Sequence, residues 1–186
     1  MHTQRPTATG AIEMGSGLTA HYRMLGRYNR LANERLYAAC AELDDEARRA
    51  DRGAFFASIH GTLNHIMVGD RIWMARFEGG HASSQGLDAI LHDDFDELRS
   101  ARVAEDARIE AFADRLDDDA LAGSIEYVNN EGVEFDDPMA VLLTHFFNHQ
   151  THHRGQVTAM VAQTDAPYPV LDMHRVLIPE PGRSLG

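Results

Sequence analysis

The sequence predicts an all-α protein, namely a four-helix bundle with a short β-hairpin between the third and fourth helices. Four segments carry apolar residues at the three- and four-residue spacing of a helix that buries one face. A stretch between the last two segments has two short alternating runs around a glycine-containing turn, which is typical of a hairpin. The chain of 186 residues is long enough for one domain with its own core. Four long helices in so small a domain indicate a bundle.

Each predicted helix ends near a recognisable signal, such as Gly79-Gly80 after the second one and Pro167 after the fourth. The predicted helices run from about Leu18 to Ala41, Ala54 to Phe77, Leu87 to Leu116 and Pro138 to Gln163. The hairpin strands are predicted around Ile125 and Tyr127 and around Val133 and Phe135. We expect residues 1–17 to form a flexible tail and residues 18–186 to form a single domain. The tail of residues 168–186 is expected to be irregular and to lie on the surface.

Composition excludes several classes of function. The net charge of −12 repels a phosphate backbone, so we expect no nucleic-acid partner. No run approaches the roughly 18 consecutive apolar residues of a membrane span. All 17 basic residues are arginines, which excludes a Schiff-base or P-loop lysine. The single cysteine, Cys40, cannot form an intrachain disulfide, and the first 17 residues lack an apolar signal core. Both observations favour a cytoplasmic location.

The stretch HFFNHQTHHRGQV, residues 145–157, contains four histidines in nine positions. His149 and His153 lie four residues apart, so on a helix both side chains reach the same point in the bundle interior. Imidazole is the commonest neutral metal ligand among protein side chains, so two on one face supply half of a metal site. The spacing also allows the pairs His145/His149 and His149/His152.

A mononuclear site needs a third ligand, which a bundle supplies from a facing helix. The second helix offers His60 and His65, and both lie next to its apolar stripe, so periodicity does not choose between them. The competing interpretation is that these histidines are packing or interface groups, since the chain has eleven of them.

Three stretches carry a resemblance to a known family. HFFNHQTHHRGQV resembles the C-terminal helix signature of the DinB/YfiT-like superfamily, HGTLNHIMVGDRIWMARF resembles its second-helix signature, and MLGRYNRLANERLY resembles its first-helix segment. The resemblance implies a DinB-like four-helix bundle, a homodimer, and one divalent metal ion (Zn, Ni, Fe or Mn) held by three histidines. Carried over by position, the ligands are His65, His149 and His153. His153 is preferred to His152 because it directly precedes the Arg-Gly-Gln sequence.

The resemblance also implies a function. Some relatives are metal-dependent transferases that use a low-molecular-weight thiol such as mycothiol or bacillithiol, so the first hypothesis is an S-transferase-like enzyme acting on a small electrophilic substrate. The second hypothesis is a metal-dependent hydrolase, for which Asp70 is the candidate general base. Asp70 could instead orient a ligand or pair with Arg71, Arg76 or Arg154, which we favour. The third hypothesis is a non-catalytic stress-response protein that binds a metal or a small molecule.

Several further residues have weaker predictions. Tyr28, Asn29 and Asn33 are candidates for lining a substrate or cofactor pocket from the first helix, and hydrogen bonding between helices explains the two asparagines equally well. Arg154 is predicted to hold an acidic group across the bundle or a dimer interface, with anion binding as the less favoured role. His145 is expected to be a core residue or a neighbour of the metal ligands. His152 is expected to face solvent or a partner subunit.

Overall fold

The computed structural model describes residues 17–82, 85–129 and 131–179. The predicted flexible tail lies outside these residues, apart from Gly17 at its end. Within the described part of the chain, no helix is both long enough and apolar enough to cross a membrane.

Four long helices form the body of the molecule: α1 (Leu18–Ala41), α3 (Ile59–Phe77), α4 (Phe95–Arg115) and α6 (Met139–Val161). Three helices have five residues each: α2 (Asp45–Arg49) and α5 (Asp118–Ala122) lie in the connections, and α7 (Met173–Leu177) lies in the segment after α6. α1 packs mainly against α4 and α6, and α3 packs against the same two helices. The predicted four-helix bundle is therefore confirmed.

A two-stranded antiparallel sheet joins the third and fourth long helices, as predicted. It consists of β1 (Ser124–Val128) and β2 (Glu134–Pro138), with Tyr127 opposite Phe135. Gly132 in the turn has a φ of 81°, a left-handed conformation that glycine adopts without steric cost. The sheet leads directly into α6, since Pro138 is the last residue of β2 and the residue before the helix.

Two long helices begin later than predicted. α3 begins at Ile59 because Ala57 has a φ of 60°, which no helix allows, and because the Ser58 side chain accepts a hydrogen bond from the Gly61 amide. α4 begins at Phe95 because the Asp94 side chain caps it by accepting from the Glu97 amide. The apolar residues before each start follow helical spacing, and the caps override that spacing.

The direction of the helices follows from two apolar clusters at opposite ends of the bundle. One cluster contains the last part of α1 and α6 and the first part of α3 and α4 (Leu36, Tyr37, Cys40, Ile59, Leu63, Ile66, Met67, Phe95, Leu98, Val157, Met160 and Val161). The other contains the opposite ends of the same helices (Tyr22, Met74, Phe77, Ile109, Leu116, Leu142, Leu143, Phe146 and Phe147). α1 and α6 therefore run one way, and α3 and α4 run the other way. The segment 78–94 crosses back along the bundle to join α3 to α4.

The segment after α6 differs from the expectation of an irregular surface tail. It contains α7, where Val176 and Leu177 are buried against Tyr28 and Ala32 of α1. The tail therefore adds a third small apolar cluster on the outer face of α1. α6 ends at Val161, six residues before Pro167, so the prolines follow the end of the helix and do not prevent this return.

Candidate metal centre

Three histidine side chains meet where α3 packs against α6. Nε2 of His65 lies 3.2 Å from Nε2 of His149 and 3.1 Å from Nε2 of His153. One candidate ligand atom from each of these histidines lies within 4.8 Å of the others. The structure thus brings together the three residues that the resemblance selected, and it places His65 rather than His60 in the cluster.

The two helices run antiparallel, and every fourth residue of α3 along this contact faces a histidine of α6. His65 packs on His153, with ring centroids 4.4 Å apart. The backbone of Gly69 contacts the ring of His149 so closely that a Cβ atom at position 69 would lie only 2.8 Å from Cε1 of His149. One turn further, Trp73 packs edge-on against His145 at 5.4 Å. Because Gly69 has no side chain, the ring of His149 can lean across α3 towards His65.

Hydrogen bonds at the other ring nitrogen orient two of the three histidines. Nδ1 of His65 lies 2.7 Å from the carbonyl oxygen of Leu87, in the crossing segment. A carbonyl oxygen only accepts, so Nδ1 carries the proton, and Nε2 of the neutral ring is left with its lone pair. Nδ1 of His153 lies 2.7 Å from Oε1 of Gln156, which fixes the same tautomer. The Gln156 amide nitrogen lies 3.2 Å from Nε2 of His152, in keeping with this orientation of the amide.

This arrangement fits a divalent metal ion. Two bare nitrogen lone pairs that face each other at 3.1 Å repel unless a cation or a proton lies between them. In a tetrahedral site with metal–nitrogen bonds of about 2.0–2.1 Å, neighbouring nitrogens lie roughly 3.3 Å apart. The observed separations are close to that value. Among the described residues, no carboxylate or thiolate joins the cluster, so three neutral ligands would leave coordination positions open.

Burial keeps the three imidazoles neutral, which is the form that binds metal. Burial lowers the pKa of His149 to about 3, and repulsion by charge on His153 and His65 adds to the effect. Burial likewise lowers the pKa of His153 to about 4, although the hydrogen bond to Gln156 opposes it. The pKa of His65 is lowered by burial as well.

Aromatic rings border the cluster on both sides. Phe56 stacks on His65 with ring centroids 3.7 Å apart, and it meets His153 edge-on at 5.7 Å. On the other side, Trp73 contacts both His145 and Tyr127 of the hairpin. Phe56 therefore covers two of the three imidazoles directly, whereas Trp73 packs against His145, one helical turn from His149.

Asp70 does not contact the histidines. It is fully buried and forms an ion pair of 2.5 Å with Arg102 of α4, and it accepts a hydrogen bond of 2.9 Å from Gln150. Burial raises its pKa, and the charge on Arg102 opposes this shift. The favoured prediction of an ion pair is right in kind, but its partner is none of the three arginines proposed. The role of general base stays a prediction, and no contact with the histidines supports it.

Asn29 and Asn33 belong to a polar layer across the middle of the bundle. Both donate to Oδ1 of Asp106 at 2.9 Å, and both accept from Arg154. They therefore bridge α1 to α4 and α6, which agrees with the interpretation as hydrogen bonds between helices. Tyr28 does line a cavity, but that cavity shares no residue with the histidine cluster.

The remaining histidines have distinct surroundings. His145 is exposed, packs against Trp73 and lies 6.1 Å from His149 between ring centroids. His152 is exposed, as expected, and contacts Gln156. His60 is buried outside the cluster, and neither of its ring nitrogens has a hydrogen-bond partner of standard geometry. Burial lowers the pKa of His60.

Sequence reasoning missed four contributors to this site: Gln156, Gly69, Phe56 and the Leu87 carbonyl. Gln156 could have been found, because it follows His153 by three residues and so lies on the same helical face. Gly69 could have been found as a small residue midway between His65 and Trp73. The other two depend on the path of loops, for which the sequence carries no comparable signal.

A helical bundle that presents three converging histidines, of which His65 and His153 are buried and His149 is half-buried, defines a class of candidate metal-binding proteins. The sequence profile of the DinB family matches residues 14–181, so the chain belongs to the DinB family. The chain is similar to the protein DinB of Bacillus subtilis (strain 168), with 28% identity over 149 residues, which cover 75% of this chain and 83% of that protein. No solved structure matches the chain significantly.

Proposed function

We propose that the protein binds one divalent metal ion through the Nε2 atoms of His65, His149 and His153. The observation that carries this proposal is the convergence of three nitrogens, two of which are left as bare lone pairs by the bonds at Nδ1. Imidazole nitrogen suits Zn, Ni, Fe and Mn alike, so the donor set does not select among them.

We further propose that the bound metal serves an S-transferase-like reaction between a low-molecular-weight thiol and a small electrophile. A divalent metal at this site would supply Lewis acidity, which lowers the pKa of a thiol that binds to it. The chain would supply the rest. The three imidazoles hold the ion without neutralising its charge, and the Phe56 ring, which stacks on His65, limits the access of water.

Thiol activation of this kind needs no side-chain base, which agrees with the site. Asp70, the candidate base for a hydrolase, is occupied by Arg102 and Gln150 and touches none of the histidines. The geometry therefore favours the transferase over the hydrolase. The experiments below also distinguish the transferase from a metal-binding protein without catalytic activity.

We also propose that the protein forms a homodimer. Light scattering on the purified chain tests this.

The first experiment is metal content by mass spectrometry on untagged protein, with wild type beside His65→Ala, His149→Ala and His152→Ala. The proposal expects about one metal per chain in wild type and in the His152 variant, which removes an exposed histidine outside the cluster. It expects no stoichiometric metal in the other two variants. Metal retained by His65→Ala, or absent from wild type after reconstitution, would refute the site.

The second experiment separates the functions. Loaded protein is incubated with a thiol and an electrophile such as 1-chloro-2,4-dinitrobenzene, and in parallel with p-nitrophenyl acetate. Metal-dependent conjugation that is lost in His149→Ala supports the transferase. Ester turnover alone supports the hydrolase, and metal binding without turnover of any thiol tested supports the non-catalytic alternative.

A further inference from the structure

Arg154 is a buried cation without a carboxylate partner. Its side chain is 2% exposed, and among the described residues no carboxylate oxygen lies within 4.0 Å of it. Nη1 donates to Asn29 and Asn33, Nη2 donates to Thr151 at 3.3 Å, and Nε has no partner. The ion pair that the sequence predicted for Arg154 is therefore replaced by bonds to neutral groups. Buried charges in proteins are normally paired, so this one requires an explanation.

The neighbouring aspartates only partly compensate this charge. Asp70 and Asp106 both contact Arg102, at 2.5 and 2.9 Å, and the negative charge of Asp106 reaches Arg154 only through the carboxamides of Asn29 and Asn33. Burial raises the pKa of Asp106 to about 7, which reduces its share of negative charge near neutral pH. Among the described residues the guanidinium therefore has no direct counterion, and its remaining contact is with the Tyr28 ring, whose centroid lies 5.2 Å from Cζ.

A cavity of about 280 Å³ lies beside α6 and is lined by both Arg154 and Tyr28. Its lining combines Arg154 and Thr158 of α6 with the Tyr28 ring of α1 and with Val170 and Leu171 of the returning tail. The lining is thus mixed, because Arg154, Thr158 and Asp172 are polar whereas Val170 and Leu171 are apolar. Its volume is near the lower end of ligand pockets, which start at roughly 300 Å³.

We infer that this cavity binds a small carboxylate with a short aliphatic chain, whose carboxylate is the counterion of Arg154. A single guanidinium matches a monoanion, and its planar edge matches the planar carboxylate. The Val170 and Leu171 side chains receive the aliphatic part. Thr158 now donates to the Gly155 carbonyl of its own helix at 2.9 Å, a local bond that a ligand oxygen can replace.

Asp172 is the residue of the chain that could act as the counterion of Arg154 in place of a bound carboxylate. Its side chain lines the same cavity, makes no cap bond to α7, and is not within ion-pair distance of Arg154. When ionised it repels a bound carboxylate. Replacing it by asparagine removes that repulsion, so the variant Asp172→Asn distinguishes an external anion from an internal counterion.

The test is the Nε–H resonance of Arg154 in nitrogen-15 spectra of the full chain, assigned by its loss in Arg154→Lys. We expect sodium propionate to shift it saturably, whereas sodium chloride at equal ionic strength does not. Thr158→Val is expected to weaken propionate binding about fivefold or more, and Asp172→Asn is expected to tighten it several-fold.

Three outcomes would overturn the inference. The first is a resonance that propionate does not move in wild type, including the case where it moves only in Asp172→Asn, since Asp172 would then be the counterion. The second is tighter binding of inorganic phosphate than of propionate. The third is equal propionate affinity in Thr158→Val and wild type. If Arg154→Lys does not fold, through-bond assignment of the wild-type spectrum identifies the Nε–H resonance instead. Thr158→Val and Asp172→Asn then still decide, and no outcome depends on the metal site.

Discussion

Nε2 of His65 lies 3.1 Å from Nε2 of His153, and neither nitrogen carries a proton in the tautomers that the surrounding bonds impose. Such a contact is repulsive in the isolated chain. It persists because Leu87 and Gln156 accept hydrogen bonds from Nδ1 of His65 and Nδ1 of His153, respectively. The Phe56 ring also stacks on His65. The chain is therefore organised for a cation between these rings, and several consequences can be measured.

Gly69→Ala is expected to weaken metal binding by about tenfold or more. The new methyl group would lie 2.8 Å from Cε1 of His149, so the imidazole must rotate away from His65. Alanine favours a helix by about 1 kcal/mol over glycine, which limits any loss of overall stability. Competition with a chromophoric chelator measures the affinity.

Gly155→Ala is the matched control, because it makes the same exchange on a helix with no atom within 4 Å of the new Cβ. It is expected to keep the metal affinity of wild type. Equal affinity in Gly69→Ala and Gly155→Ala would show that the position of His149 does not matter for binding.

Gln156→Ala is expected to lower metal affinity by about 10- to 100-fold, the usual effect of removing a group that orients a ligand. The ring of His153 loses the acceptor at 2.7 Å that fixes its tautomer. His152→Ala removes the other neighbour of the Gln156 amide and is expected to change affinity only a few-fold. If the two variants have the same affinity, Gln156 does not position His153.

The helices were predictable because their apolar faces repeat locally, and the bounds of α1 were predicted to the residue. The hairpin connection was predictable too, from its alternating residues and its turn. The path of segment 78–94, which crosses the length of the bundle between α3 and α4, was not. A crossing path depends on which ends of the helices share a core, and that core combines residues far apart in sequence, such as Leu36 and Val157.

The histidines of the site were found by resemblance, since spacing alone left His60 and His65 equivalent. The partners of Asp70 and Arg154 were predicted wrongly for a physical reason. The arginines proposed for Asp70 included two that lie close to it in sequence. A buried carboxylate instead pairs with the cation that a neighbouring helix places in the same layer of the bundle, and here that cation is Arg102. Charges at the same height in a bundle have no fixed separation in sequence.

Arg102→Met is expected to destabilise the fold by about 3–5 kcal/mol, because it leaves the buried carboxylates of Asp70 and Asp106 without their shared cation. Asp70→Asn is expected to cost less, since Arg102 keeps Asp106. Urea unfolding measures both. The same Asp70→Asn protein should keep its turnover per bound metal, and a loss of turnover with normal metal content would restore Asp70 as a catalytic base.

The metal-free protein is expected to lose stability as the pH falls below about 6.5, the pKa of an unfolded histidine. Because burial lowers the pKa of His149 to about 3 and that of His153 to about 4, the native state excludes protons that the unfolded chain binds. Stability therefore decreases with falling pH across this window. Asp106 acts in the opposite direction, since its pKa is raised to about 7, and its effect is common to wild type and variants.

The double variant His149→Asn/His153→Asn isolates the histidines from that common background. In the presence of a chelator, its urea midpoint should fall less between about pH 7 and pH 5 than the midpoint of wild type. Parallel pH profiles would mean that the two imidazoles titrate normally in the fold, and that burial does not hold them ready for a metal.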